Sequence, residues 1–212
     1  MWTTHPGAWE KNIITSVNLQ AFPPDVQNKF EKVCRRNALS VEELIARNNS
    51  VSRLIWEVIQ IFELNFRHFM NMELSNFSEN DKWWRDPKVV HKEHMTESSD
   101  NDDKIQFISL GFLSLLLSDR YHNKLWVPHL RDAFTNWIYP RRVLYRELRL
   151  LVRIRNRIAH HEIIYNYPLE ETIEFARKIL LDINGHAAAE IERNKYAEQI
   201  REIKLGRSGG GI

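Results

Sequence analysis

Cysteine is all but missing from this chain of 212 residues: Cys34 stands alone, so no intrachain disulfide can form. One cysteine also leaves no Cys/His spacing of the zinc type, and it favours a reducing, cytoplasmic setting. Glycine and proline are scarce, seven of each, and most of them fall outside the periodic segments. That scarcity argues for long helices with few turns. No apolar run is long enough to cross a bilayer. The best, "FISLGFLSLLL" from Phe107 to Leu117, has about half the required length and carries two serines and a glycine, so a buried helix is expected there. The opening "MWTTHPGAWEK" lacks the basic region and apolar core of a secretory signal. A charge surplus is lacking as well: 30 Lys and Arg face 28 Asp and Glu, so any basic surface has to be local. Period-two alternation is absent too, which speaks against a sheet.

What remains is helical periodicity. Val26, Phe30 and Val33 recur at helical spacing after Pro23 and Pro24. Ser40 followed by Glu43 reads as a capping box. It leads into a segment whose Leu54, Val58, Ile61, Phe62, Phe66 and Phe69 make one broad apolar face. Residues 75–104 are polar and patternless except for Trp83 and Trp84, which predicts a long connection held by a buried aromatic anchor. The acids Asp100, Asp102 and Asp103 lie in that connection without an ordered ligand pattern, and no metal or other cofactor is expected. A turn near Tyr121–Asn123 and a short helix over "VPHLRDAFTNW" follow. Pro140 opens the next helix. A last helix is expected from Leu169 to about Ile203, weakened at Gly185. The expectation is one all-α domain over residues 1–205, a bundle of roughly six helices, with a flexible tail over 206–212.

The helix after Pro140 is the informative one. At about 100° per residue, Leu144, Leu148, Leu151, Ile154 and Ile158 fall between roughly 220° and 340° from Arg141, which is a core face. Arg142, Arg146, Arg149, Arg153 and Arg157 form a basic stripe between roughly 80° and 160°, and Asn156 and His160 extend it. Such a stripe is either a solvated face or a track for phosphates. Arg155 breaks the pattern, falling near 320° on the apolar arc. Either the helix distorts near its end or the side chain snorkels past its neighbours, or this face meets another subunit or a buried acid, with Glu63 as the candidate partner.

The stretch "RIRNRIAHHEII", residues 153–164, within "LRLLVRIRNRIAHHEII", resembles the signature helix of the HEPN superfamily, in which an arginine and a polar residue precede a histidine. Here these are Arg155, Asn156 and His160. The ordered set "FELNFRHFM", "ISLGFLSLLLSDRYHNKLW", "LRDAF" and "RNRIAHHE" resembles the Abi-like (abortive-infection) branch, and the likeness spans roughly residues 40–180. Where that family has a proline after "HHE", this chain has Ile163.

The resemblance implies a helical bundle that dimerises through its motif helices and joins two motifs into one site. It implies a metal-independent endoribonuclease acting as a toxin or in phage defence, with RNA as substrate and an antitoxin protein as a partner. Arg155, Asn156 and His160 are then the catalytic set. His161, Glu63 and Arg67 support it, and Arg146, Arg149, Arg153 and Arg157 hold RNA. The alternatives are a non-catalytic module that binds RNA or nucleotides in the same pocket, and a dimerisation domain whose motif arginine is only an interface ion pair.

Overall fold

The computed structural model describes residues 24–94 and 108–206, and among them every regular element is helical, with no strand. The N-terminal segment, Asp100–Asp103, Phe107 and the tail from residue 207 lie outside the described residues. Seven α-helices of six or more residues are present among the described residues, where roughly six were expected.

Helix α1 (Pro24–Asn37) leads to α2 (Val41–Ser78), whose 38 residues form the axis of the bundle. The start of α2 is the expected capping box: Ser40 Oγ accepts from the Glu43 N–H at 3.1 Å, and the Glu43 carboxylate accepts from the Ser40 N–H at 2.9 Å. Leu44, Val51, Ile55, Val58 and Phe62 recur at heptad-like spacing and are all fully buried, so one face of α2 is committed to the core along its first five turns. Phe62 stacks on Phe66 with ring centroids 5.2 Å apart. Each such buried side chain contributes about 1.5–3 kcal/mol relative to leaving it exposed.

Helix α2 runs further than expected and includes Ser75–Ser78. Its buried Leu74 and partly buried Phe77 continue the apolar spacing, and the Ser78 hydroxyl donates to the Leu74 carbonyl. Glu79 then turns left-handed and stops the helix. The following stretch holds two short 3₁₀ turns, Trp83–Arg85 and Lys92–His94. Trp83 and Trp84 are buried, as expected of an anchor, and Val89 and Val90 join them in the core.

Helix α3 (Leu110–Leu115) is shorter than the buried helix expected over Phe107–Leu117, because Ser109 caps it by accepting the Phe112 N–H. The region around Tyr121–Asn123 is no simple turn. A 3₁₀ turn, Asp119–Tyr121, passes directly into a nine-residue π-helical stretch, His122–Leu130, and then into the three-residue α4 (Arg131–Ala133). Pro128 lies inside that stretch; it has no N–H to continue an α ladder, and the wider turn accommodates it.

Helix α5 (Arg141–Ala159) begins after Pro140. Its first residue, Arg141, is buried, donating to His122 Nδ1 at 3.2 Å, to the Leu117 carbonyl and to the Asp119 carboxylate. That buried cation ties the start of α5 to the turn behind α3. The last helix expected is three: α6 (Leu169–Ile183), α7 (Gly185–Arg193) and α8 (Tyr196–Lys204). The break lies at Asn184, whose side-chain oxygen caps α7 and whose amide donates to Asn65 at 2.7 Å, and at Lys195, which is left-handed. Helix α2 packs against α1, α3, α5, α6, α7 and α8, which makes it the scaffold of everything below.

Candidate functional site

Two helices build the site, and a pair of charges joins them. On α2, Glu63 and Arg67 are one turn apart, and the arginine donates to the carboxylate at 2.7 Å. On α5, Arg155 brings its Nε to 3.8 Å from the other Glu63 oxygen. The helix stays α-helical through Ala159, so Arg155 occupies the apolar arc without distortion. Its side chain is 37% exposed and is paired with the acid expected from the sequence. Its guanidinium also lies 5.8 Å from the centre of the Trp56 ring, and it approaches the Asn156 side-chain oxygen at 3.5 Å.

Glu63 thus sits between two arginines and neutralises one of them. The 3.8 Å contact is within ion-pair range and too long for a hydrogen bond. The Nε–H groups of both Arg67 and Arg155 are buried without an acceptor among the described residues. Both arginines line one cavity of about 480 Å³, closed by Ile108–Gly111 at the start of α3 and by Val152 and Asn156 of α5. A second groove of about 540 Å³ lies on the far side of Glu63 and Arg67, toward α7 and α8. There burial, together with the nearby Glu57 carboxylate, pushes the pKa of the Tyr196 hydroxyl up to about 12.

The histidines are placed differently. His160 is the C-cap of α5 and His161 follows in the left-handed region, with φ 55°. The His161 N–H bonds the Ile158 carbonyl at 2.9 Å, and the Glu162 N–H bonds the Arg157 carbonyl at 2.8 Å. This is a Schellman closure with a histidine where glycine is usual. Both imidazoles are exposed. Neither lines the cavity, and neither has a side-chain hydrogen bond among the described residues. Asn156 and His160 were expected within mutual reach, yet their contact is the backbone one, His160 N–H to the Asn156 carbonyl at 3.0 Å. Five helical residues turn the chain by roughly 140° beyond a full turn, so Arg155 faces α2 while His160 points elsewhere.

The stripe divides as well. Arg149 and Arg153 are exposed with no ion-pair partner among the described residues. Arg146 is forked onto Glu147 at 2.6 and 2.8 Å. Arg157 is drawn into the turn: it pairs with Glu162 at 2.9 Å, donates to the Ile163 carbonyl at 3.2 Å and lies over Tyr167. Ile163, which stands where the resembled family has proline, is thus held through its carbonyl by the Arg157 side chain.

Asn48 was missed by the sequence reading. It is buried on the apolar face of α2, and its side-chain oxygen accepts the N–H groups of Ile164 (2.8 Å) and Tyr165 (3.2 Å). It fixes the strand of chain leaving the histidine turn. The signal was available, since Asn48 interrupts an otherwise apolar row just as Arg155 does on α5. Compared with protein-family models, curated proteins and solved structures, the chain matches none.

Proposed function

We propose that the chain is a metal-independent endoribonuclease of the HEPN type, a toxin or phage-defence effector that cleaves RNA to 2′,3′-cyclic phosphate and 5′-OH ends. One observation carries this reading: Arg67 and Arg155 line one cavity beside Asn156, and each has a buried Nε–H with no acceptor among the described residues. A buried unmet donor costs about 1–3 kcal/mol, and a phosphate oxygen is the acceptor that best suits a guanidinium.

The chemistry asks little more of the protein. RNA brings its own nucleophile, so a base removes the 2′-OH proton, O2′ attacks phosphorus, the P–O5′ bond breaks, and an acid protonates O5′. Arg155 steadies the charge on the phosphorane and Asn156 holds an oxygen of it. His160 is the proton-transfer group, with Glu63 and Arg67 in support. Because Arg155 and His160 diverge within one chain, the reading requires a homodimer, in which the His160 of each protomer reaches a site shared with its copy.

A second reading has its own support. His160 stands outside the cavity wall, as it would in a module that binds RNA or a nucleotide and cuts nothing. Comparing wild type with His160→Ala separates the two. The ribonuclease reading expects equal RNA affinity and a loss of cleavage of at least a hundredfold. Equal and absent cleavage in both proteins, with affinity intact, selects the binding module. Absence of RNA affinity in the wild type contradicts both.

A further inference from the structure

Helix α2 carries Trp56, Gln60, Glu63 and Arg67 at spacings of four, three and four, which puts all four within roughly 60° of one another on its surface. The row begins with an aromatic side chain. Its neighbours Ile55, Val58 and Ile59 are fully buried or nearly so, whereas Trp56 remains partly exposed at the rim of the core. The large apolar ring is therefore only partly used by folding. The same guanidinium that pairs with Glu63 lies against this ring, 5.8 Å from its centre.

We propose that Trp56, outside the cavity wall but beside Arg155, is a platform on which an unpaired base of the bound RNA stacks. This rests on the ribonuclease reading above and adds the residue that positions the base. A phosphate held by Arg155 would place the adjoining nucleotide near the indole, because the guanidinium lies 5.8 Å from the centre of that ring. An unpaired base offers a free face to stack on the ring. A base inside a duplex has both faces covered by its neighbours, and A-form RNA is read by shape instead. Stacking of this kind changes affinity by about 5- to 150-fold per base. It releases no counterion, whereas a phosphate contact does. Trp56 is thus a positioning residue whose contribution differs in salt dependence from that of Arg155.

The test is binding of a single-stranded RNA made uncleavable by 2′-O-methylation, at several salt concentrations. Wild type is compared with Trp56→Ala, Trp56→Phe and Trp56→Leu, with the matching duplex alongside. The expected result is a 5- to 150-fold loss of single-strand affinity for alanine, an unchanged slope of log affinity against log salt, and little effect on the duplex. Phenylalanine should restore most of the affinity and leucine should not. These two apolar variants test stacking even if alanine disturbs the fold. Unchanged affinity in Trp56→Ala, or leucine equal to phenylalanine, overturns the proposal while leaving the ribonuclease reading in place. A loss accompanied by a shallower salt slope also overturns it, because the ring would then serve only to prop Arg155. A wild type that binds no RNA contradicts the ribonuclease reading itself, and this inference with it.

Discussion

Glu63 shows how much one side chain can organise. It accepts a hydrogen bond from Arg67 and faces Arg155, and it is mostly shielded from water. Glu63→Ala leaves two guanidiniums facing each other, which is expected to lower stability by about 1–3 kcal/mol, read by urea denaturation. No change in midpoint would mean that water already satisfies both arginines. This pairing was legible in the sequence: a charge on an apolar arc needs an acid, and Glu63 borders the apolar face of the long helix. The conformation of His161 was not legible, because nothing in "AHHE" announces a left-handed residue. Its φ of 55° is costly for any side chain, so His161→Gly is expected to raise stability by about 0.5–1 kcal/mol. If the imidazole takes no part in the chemistry, cleavage stays near the wild-type rate. A tenfold loss of cleavage in the stabilised variant would make His161 a participant.

At the scale of elements, α5 carries arginines on two sides. Arg155 turns inward to α2, and Arg149 and Arg153 turn outward. Replacing Arg146, Arg149 and Arg153 together by alanine is expected to weaken RNA binding and to flatten its salt dependence with the fold intact. Of the three, Arg146 should contribute least, since Glu147 already holds it. Unchanged affinity at low salt would make the outward side a solvated face. Asn48 governs the other end of the motif. Asn48→Ala strips two backbone N–H groups of their acceptor, with an expected cost of about 1–3 kcal/mol, and should slow cleavage by loosening the histidine turn. Asn48→Asp keeps an acceptor oxygen and should retain more activity; equal losses in the two variants would place the effect elsewhere. Helix identity could be read from periodicity in α1, α2 and α5. The π-helical stretch could not, since Pro128 announces a break in an α ladder and not the wider turn that replaces it. The splitting of α6, α7 and α8 turns on Asn184 bonding Asn65, a partner 119 residues away in sequence.

At the scale of the whole molecule, α2 does the joining: it carries Glu63 and Arg67 to Arg155, and Asn48 to the chain beyond His161. An all-α bundle could be foreseen because no segment alternates at period two. Among the described residues, no helix is long and apolar enough to cross a membrane. The divergence of Arg155 and His160 around α5 makes the dimer a requirement of the proposed chemistry. A mixed dimer of wild-type and His160→Ala subunits should therefore retain far less than half the wild-type activity, and retention of half would show each protomer acting alone. The most direct test of the central claim is end-group analysis of the RNA products formed in excess EDTA. Cleavage with 2′,3′-cyclic phosphate and 5′-OH termini is expected. Products bearing 5′-phosphate and 3′-OH, or cleavage that appears only when a divalent ion is restored, would contradict it.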